Sequence, residues 1–373
     1  MNSKTYVLQA FEKAGLAVNG TRPYDIRVLD ERFYRRLLRQ GFLGFGESYM
    51  DGWWECPRID LLCERLIKSG HTPVNKWASL GIYLQQLFLN LQSQARAMMV
   101  IDHHYDIGNE LFVEMLDPRM TYTCGYWEAG ATDLLAAQEA KLDLVCRKLN
   151  LRPGMRVLDI GCGFGSFMKY AVEKYGVSCV GYSLSTNQTK LGQELCHGLD
   201  VKFVHQDYRA IQGQFDAVAS IGMFEAVGKK NFRTFMEVLH RSMTPEAISL
   251  LHTIGTNHSM PTANPWYDKY IFPNGFIPSA VDITRAMDRL VLMNDWHAFG
   301  TSYDLTLLAW NENFQKSWSK LQASNPTFYD QRFKRMWEFY LLSIAAGFRT
   351  RIIDLWQLVI SRPRRAPANW RHS

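Results

Sequence analysis

Two titratable side chains follow neighbouring predicted strands, at positions where a reacting group would lie in a parallel sheet. Glu225 lies in a mostly apolar run after one strand, and His252 ends the next strand. A lone buried carboxylate is costly, so Glu225 is expected to have a partner, which the segment around His252 can provide. A single buried histidine is more often structural than catalytic. Two titratable groups at adjacent strand ends nevertheless favour a catalytic site.

A cysteine and a tyrosine elsewhere in the chain are further candidates for chemistry. Cys124 lies in the segment Thr-Tyr-Thr-Cys-Gly-Tyr-Trp, and a nucleophilic thiol there would need a base and a depressed pKa. No such helper is adjacent in the sequence, which favours an uncharged contact. Tyr303 is equally consistent with a core aromatic side chain and with a hydroxyl donor.

These candidates need a scaffold, and the stretch 157–165 is predicted to be its centre. An apolar strand pattern ends at Gly161, Gly163 and Gly165, and a helical pattern follows. Glycines let the backbone approach a ligand, and a helix N-terminus adds unpaired N–H groups. The G-x-G-x-G spacing, with Asp159 two residues before the first glycine, favours S-adenosylmethionine over a dinucleotide. A purely structural turn is the remaining alternative.

Side chains after the next two strands fit the same cofactor. The strand end at 181–188 has no acid for ribose hydroxyls, whereas Ser183 and Gln188 can offer neutral hydrogen bonds. The alternative for this segment is a helix N-cap at Ser185, and both roles can coexist. Asp207 can place a carboxylate at the adenine amino group, or it can be an ordinary turn acid.

Strands alternate with helices from about residue 138 onward, which predicts an α/β fold with a doubly wound, Rossmann-like parallel sheet. The predicted strands are 177–182, 201–205, 215–221 and 247–253, and the predicted helices are 138–149, 186–196 and 231–239. Ligands in such sheets bind beyond the carboxyl ends of the strands. The glycine loop, residues 183–185, Asp207, Glu225 and residues 252–255 are therefore expected to face one crevice.

The chain is predicted to contain a smaller, mainly helical domain at 1–95, a linker at 96–104 and the α/β catalytic domain at 105–373. Two N-terminal segments leave alternatives open. Residues 43–56 are rich in glycine and aromatic residues and are expected to form either a packed loop or an apolar docking surface. Residues 77–99 are predicted to form an apolar helix, which lies either in a core or against a membrane or partner.

The composition excludes several classes of protein. The 373 residues are 47% hydrophobic and 21% charged, which is enough for a sizeable core and argues against disorder. No apolar run reaches the roughly 18 residues of a membrane span, and the start lacks a signal peptide, so a cytoplasmic protein is expected. The seven cysteines have no metal-ligand spacing, so no metal site is expected. A net charge of +6 permits an anionic partner without requiring one.

Taken together, the motifs resemble those of the cyclopropane-fatty-acyl-phospholipid synthase family, in its bacterial two-domain form. The stretches that carry the resemblance are 43–54, 104–109, 122–127, 157–165, 222–228, 250–255 and 269–275. The glycine loop is shared by many methyltransferases, but the combination is specific. Two positions depart from the family: Ala226 stands where a histidine is common, and Ile344 stands where some members have a cysteine.

The resemblance implies a methylene transfer from S-adenosylmethionine to the cis double bond of an unsaturated phospholipid acyl chain. A carbocation would form and lose a proton to a bound bicarbonate. By resemblance, the bicarbonate contacts are Cys124 and Ile254 through backbone N–H groups, and the side chains of Glu225, His252 and Tyr303. The cofactor contacts implied in the same way, together with the loop acid Asp159, are Tyr122, Thr123, Gly161, Gly163, Ser183, Leu184, Gln188, Asp207 and Tyr208.

The resemblance also implies a homodimer and a peripheral contact with the inner face of the membrane. An alternative function uses the same cofactor but gives a different product, by methyl branching or by methylation of a heteroatom on a lipid or small molecule. A lipid-binding protein with a degenerate site is disfavoured by the intact candidate residues. An RNA methyltransferase would need a continuous basic surface, which the sequence does not show, so no nucleic-acid partner is expected. Replacing Glu225 by glutamine is expected to abolish turnover.

Overall fold

The computed structural model of the protein describes residues 2–70, 108–259 and 264–363. Contacts within the chain divide it into two compact units. The first unit combines residues 2–70 with residues 264–273 and Asp304–Ile353, and the second contains the rest of the described chain. Sequence analysis assigns the two later segments of the first unit to the catalytic domain, whereas the structure groups them with the N-terminal helices.

The first unit is mainly helical, in agreement with the mainly helical domain predicted at 1–95. Its helices are Ser3–Lys13, Arg32–Gln40, Phe42–Met50, Ile59–Ser69, Pro265–Tyr270, Thr301–Ser324 from Asp304 onward, and Gln331–Arg349. Strands β1 (Arg27–Val28) and β2 (Trp54–Glu55) form a short antiparallel pair. The predicted linker at 96–104 and the predicted apolar helix at 77–99 lie outside the described residues.

Most of the glycine-rich aromatic segment 43–56 forms the buried helix Phe42–Met50, followed by a turn and strand β2, rather than the expected packed loop or docking surface. Phe45 stacks on Trp54 with ring centroids 4.5 Å apart, and Phe339 meets Trp54 edge to face. Gly46 permits this packing, because a Cβ at that position would lie 2.4 Å from Nε1 of Trp266. Aromatic packing of this kind explains why the helix Gln331–Arg349 belongs to the first unit.

The second unit is built around one seven-stranded sheet with the order β5-β4-β3-β6-β7-β9-β8. Its strands are β3 (Arg156–Ile160), β4 (Ser178–Ser183), β5 (Val201–His205), β6 (Phe215–Ile221), β7 (Met243–Gly255), β8 (Leu292–Ala298) and β9 (Asp354–Ser361). Strands β3 to β7 pair in parallel, and β9 and β8 extend the sheet with antiparallel pairs. The predicted parallel sheet is confirmed, and sequence analysis missed the antiparallel extension.

Helices cover both faces of the sheet, as expected for a doubly wound fold. Neighbouring residues of one strand enter opposite cores: Leu158 packs with the helix Phe232–Ser242, and Val157 packs with the helices Leu134–Lys148 and Ser166–Tyr175. The other helices of the unit are Asn109–Met115, Thr186–Leu195 and Ala280–Met287. None of the described helices is long and apolar enough to cross a bilayer.

Candidate active site

The glycine loop directly follows β3, at the carboxyl edge of the parallel strands. Gly161 has φ +85°, and a Cβ there would lie 2.5 Å from Cβ of Met223. The N–H groups of Gly161 and Cys162 both donate to the carbonyl of Tyr182 in β4, at 2.9 and 3.1 Å. The following helix begins after Gly165 without a side-chain cap. These two bonds hold the loop in place, while the uncapped helix start and the glycine surface at this edge suit a nucleotide-type ligand.

The segment after β4 caps a helix and reaches the glycine loop. The Ser185 hydroxyl accepts from the N–H of Gln188 at 3.3 Å, which confirms the N-cap. Gln188 is buried, and a Cβ on Gly163 would lie 3.9 Å from its Oε1. The structure thus places Gln188 beside the loop, and Ser183 and Leu184 lie between β4 and this cap.

The acid after β5 already has partners. The Asp207 carboxylate accepts from the backbone N–H of Arg209 at 2.8 Å and from its guanidinium at 2.9 Å. Tyr208 is buried in the core, where burial raises its pKa to about 12. Contacts of these two residues with S-adenosylmethionine stay predictions.

The segment that contains Cys124 is placed over the end of β6 by a buried helix. A Cβ on Gly222 would lie 2.6 Å from the methyl group of Thr123. The Gln138 amide donates to the Thr123 carbonyl at 2.7 Å. Cys124 itself is fully buried, with Sγ 3.1 Å from the carbonyl of Gly125. The preceding Tyr122 meets the ring of Phe112 with centroids 4.9 Å apart.

Glu225 finds its partner in the segment around His252, but that partner is the backbone of Ile254. The Ile254 N–H donates to Oε1 of Glu225 at 2.5 Å. The other carboxyl oxygen, Oε2, is buried and has no hydrogen-bond partner among the described residues. Burial raises the pKa of Glu225, and the Ile254 N–H opposes that rise without cancelling it. The Ile254 N–H therefore bonds Glu225 in this structure, and its contact with a bicarbonate stays a prediction.

His252 is buried at the end of β7 with one ring nitrogen occupied. Nε2 of Gln357 lies 3.3 Å from its Nδ1, and its Nε2 finds no partner in the part of the chain that the structure describes. Burial lowers the pKa of His252 well below its usual range, and the positive charges of Lys141 and Lys148 lower it further. The imidazole is therefore neutral at physiological pH.

Tyr303 lies in the first turn of the helix Thr301–Ser324, with its side chain buried. The turn is positioned by Gly300, whose N–H donates to Oδ1 of Asp354 at 2.9 Å. A Cβ on Gly300 would lie 2.3 Å from that same oxygen. The tyrosine is thus held at the sheet end where β9 begins, and its role as a hydroxyl donor stays a prediction.

A buried lysine of the site, Lys141, was not predicted from the sequence. The ammonium of Lys141 donates to the hydroxyl of Thr123 at 2.9 Å. Asp159 is buried nearby with Oδ1 unpartnered by any described residue. Burial lowers the pKa of Lys141 to about 8 and raises that of Asp159 to about 7, and the positive charge of Lys141 opposes the second shift. Lys141 and Lys148 occupy the buried stripe of one helix seven residues apart, a pattern that could have revealed them.

Comparison with solved structures identifies the class of this fold. Mycolic acid cyclopropane synthase CmaA1, complexed with SAH and CTAB, aligns with a TM-score of 0.64 and 30% identity, covering 71% of this chain and 98% of that one. Cyclopropane synthase MmaA2 from Mycobacterium tuberculosis aligns with a TM-score of 0.66 and 28% identity, over the same shares of the two chains. The fold and the glycine loop define an S-adenosylmethionine-dependent methyltransferase.

The chain belongs to the mycolic acid cyclopropane synthetase family, whose model matches residues 92–358. Cyclopropane-fatty-acyl-phospholipid synthase of Escherichia coli strain K12 is 48% identical, over 95% of this chain and 92% of that protein. Tuberculostearic acid methyltransferase UfaA1 of Mycobacterium tuberculosis is 31% identical, over 88% and 81%. The predicted family, the fold class and the use of S-adenosylmethionine are thereby confirmed.

Proposed function

We propose that the protein is a cyclopropane-fatty-acyl-phospholipid synthase, which adds a methylene group across the cis double bond of an unsaturated phospholipid acyl chain. The observation that carries the proposal is the pair of inward polar atoms at two adjacent strand ends, Oε2 of Glu225 and Nε2 of His252. Met223, two residues before Glu225, lies against Gly161 of the glycine loop, which supports a position of this pair near the cofactor. The named E. coli relative supports the choice of substrate.

The reaction needs one carbon–carbon bond from the alkene to the transferred carbon, a second bond to close the ring, and the loss of one proton. S-adenosylmethionine supplies the electrophilic methyl group, and bicarbonate supplies a small base for that proton. The chain must orient the double bond, exclude water from the cationic lipid and hold the base. A buried and apolar setting suits those tasks, since water would quench the cation.

Bicarbonate fits the unpartnered polar atoms of the site. An unsatisfied buried polar atom is costly, so Oε2 of Glu225 and Nε2 of His252 call for a small polar ligand. A protonated Glu225 can donate from Oε2 to an anion, because its Oε1 is occupied by the Ile254 N–H. His252 can donate from Nε2. The backbone N–H groups of Cys124 and Ile254 and the hydroxyl of Tyr303 complete the proposed set.

The proposal is tested by incubating the protein with S-adenosylmethionine and vesicles that contain a cis-unsaturated phosphatidylethanolamine. Fatty-acid mass analysis and proton NMR of the ring hydrogens should show a cyclopropane acid. Vesicles with only saturated acyl chains are the matched control. A methyl-branched product would instead support a fatty acid methyltransferase, the description carried by several relatives that are about a third identical.

The role of bicarbonate has its own experiment. Assays in buffer freed of carbon dioxide should lose activity, and added bicarbonate should restore it in a saturable manner. Unchanged turnover after rigorous removal would mean that another base takes the proton.

Peripheral membrane contact and a homodimer remain part of the proposal on the grounds of resemblance alone. Co-sedimentation with anionic and neutral vesicles measures the first, and sedimentation equilibrium measures the second. Failure of the protein to bind either vesicle would contradict the membrane contact, and a monomer at assay concentrations would contradict the dimer.

A further inference from the structure

Three polar side chains lie in register across the antiparallel part of the sheet. His252 of β7 is directly opposite Gln357 of β9, and Gln357 is directly opposite His297 of β8. Residues opposite one another in neighbouring strands project from the same face. Gln357 is fully buried between the two histidines. A buried polar residue in such a row is expected to have a specific partner.

The hydrogen bond between Gln357 and His252 determines which ring nitrogen carries the proton. The Gln357 amide nitrogen, a donor, lies 3.3 Å from Nδ1 of His252. An imidazole that accepts at Nδ1 must carry its hydrogen on Nε2 when it is neutral. Nε2 is the atom that is buried and has no partner within the described residues.

His297, at the other end of the row, also faces a hydrogen-bond donor at its Nδ1. The ammonium of Lys148 lies 3.0 Å from Nδ1 of His297, and an ammonium can only donate. His297 therefore also accepts at Nδ1 and carries its hydrogen on Nε2. Lys148 is buried on the helix Leu134–Lys148, which packs against this face of the sheet. Both histidines thus receive a donor from within the protein.

We propose that Gln357 is a positioning residue that holds His252 in the Nε2–H form, so that His252 is a hydrogen-bond donor in the site rather than the base that removes a proton. The consequence for catalysis rests on the proposed function. In the opposite arrangement, with the amide reversed, Oε1 of Gln357 would accept from Nδ1–H, and Nε2 would be a bare base. The two arrangements assign His252 opposite roles, so the choice decides what else must accept the proton.

The tautomer can be measured without substrate. The full-length protein, labelled with 15N at its ten histidines, would be studied by NMR, and the His252→Asn variant would assign the His252 signals. We expect a pyrrole-type signal for Nε2 and a pyridine-type signal for Nδ1. The reverse assignment would overturn the proposal, whatever the protein's activity. Loss of cyclopropanation with the expected tautomer would instead count against the proposed function.

Two substitutions at one position test the link to turnover. Gln357→Leu removes the donor and is expected to mix the two tautomers and to lower kcat by about tenfold, with little change in KM for S-adenosylmethionine. Gln357→Glu replaces the donor by an acceptor and should move the hydrogen to Nδ1, with a larger loss. Gln315→Leu, at a half-buried glutamine on the helix Thr301–Ser324, is the matched control and should change neither readout. Unchanged tautomer and kcat in Gln357→Glu would refute the positioning role.

Discussion

Exchanging Glu225 for glutamine distinguishes a neutral carboxyl group from a carboxylate in the candidate site. The structure places Oε1 as an acceptor for the Ile254 N–H and leaves Oε2 buried and unpartnered by the described residues. Burial raises the pKa of this group. Glutamine reproduces the neutral form, with an amide oxygen that accepts and an amide nitrogen that donates. A neutral carboxyl group at Glu225 predicts that Glu225→Gln keeps turnover, whereas the expectation from sequence is that this substitution abolishes it.

The expected losses of kcat follow from the hydrogen-bonding groups that each variant retains. Glu225→Gln keeps the acceptor for the Ile254 N–H and the proposed donor to the anion, so kcat should stay within about tenfold of the parent. Glu225→Ala removes the acceptor of a buried N–H, which costs about 1–3 kcal/mol of stability. It also removes a donor to an anion, and donors of that kind are worth about 10²–10³ in kcat. The ratio between the two variants, about 10 to 10³, is the quantity to measure.

The pH profile gives a second readout. The native pKa of Glu225 lies above its unfolded value, so the stability due to the bound proton is complete below the unfolded pKa. That stability is lost as the pH rises through the native pKa. The activity of the parent protein should fall as the pH rises through the native pKa of Glu225. The pH profile of Glu225→Gln should lack this fall on the basic side. Turnover of Glu225→Gln as low as that of Glu225→Ala, with cofactor binding intact, would refute the neutral carboxyl group.

Three further substitutions probe the cofactor side of the site. Lys141→Met removes the donor to Thr123 and the positive charge that favours ionisation of Asp159, so S-adenosylmethionine affinity should fall about tenfold by calorimetry. Unchanged affinity would exclude a role for the ammonium. Asp159→Asn should stabilise the protein increasingly from about pH 4 to about 7, by at most about 4 kcal/mol, because burial raises the native pKa of Asp159 to about 7. Melting curves of the parent and the variant across that range test this, and a stability difference that does not change with pH would contradict it. Gly161→Ala should abolish cofactor binding through the clash with Met223, whereas Gly213→Ala, at φ +86° with open space around it, should cost about 1–2 kcal/mol of stability from backbone strain alone. Equal melting losses would show that strain, not the clash, dominates.

The parallel sheet could be predicted from the sequence because each strand and helix carries its own periodic pattern. Strands β5 and β6 have the predicted bounds, and the helix after the glycine loop runs from Ser166 to Tyr175 as expected. The antiparallel strands β8 and β9 were missed. Strand β9 pairs with β7, about a hundred residues earlier in the chain, and local patterns do not encode such pairings.

The candidate residues were predictable individually, but their partners were not. The sequence indicates that Glu225 needs a partner near His252, yet only the fold shows that this partner is the N–H of Ile254. A backbone donor has no signature in the residue types. Gln357 was missed for the same reason, since its contact with His252 depends on the register of β7 and β9.

The segments grouped with the N-terminal helices show a related limit. Sequence position assigns Asp304–Ile353 to the catalytic domain, because that segment follows the α/β pattern along the chain. The structure places it with the first unit, where Phe339 packs on Phe45 and Trp266. A compact unit assembled from separated segments depends on packing, which length and composition do not reveal.

The central claim, methylene transfer, is tested most directly by the fate of the methyl hydrogens. The protein would be incubated with S-adenosylmethionine carrying a CD3 group and with vesicles of a cis-monounsaturated phospholipid. The mass of the fatty acid released from the product would then be measured by mass spectrometry. The account predicts a gain of CD2, with one deuterium lost and a cyclopropane ring in the NMR spectrum. A product that retains all three deuterium atoms, or that keeps its double bond, would contradict it.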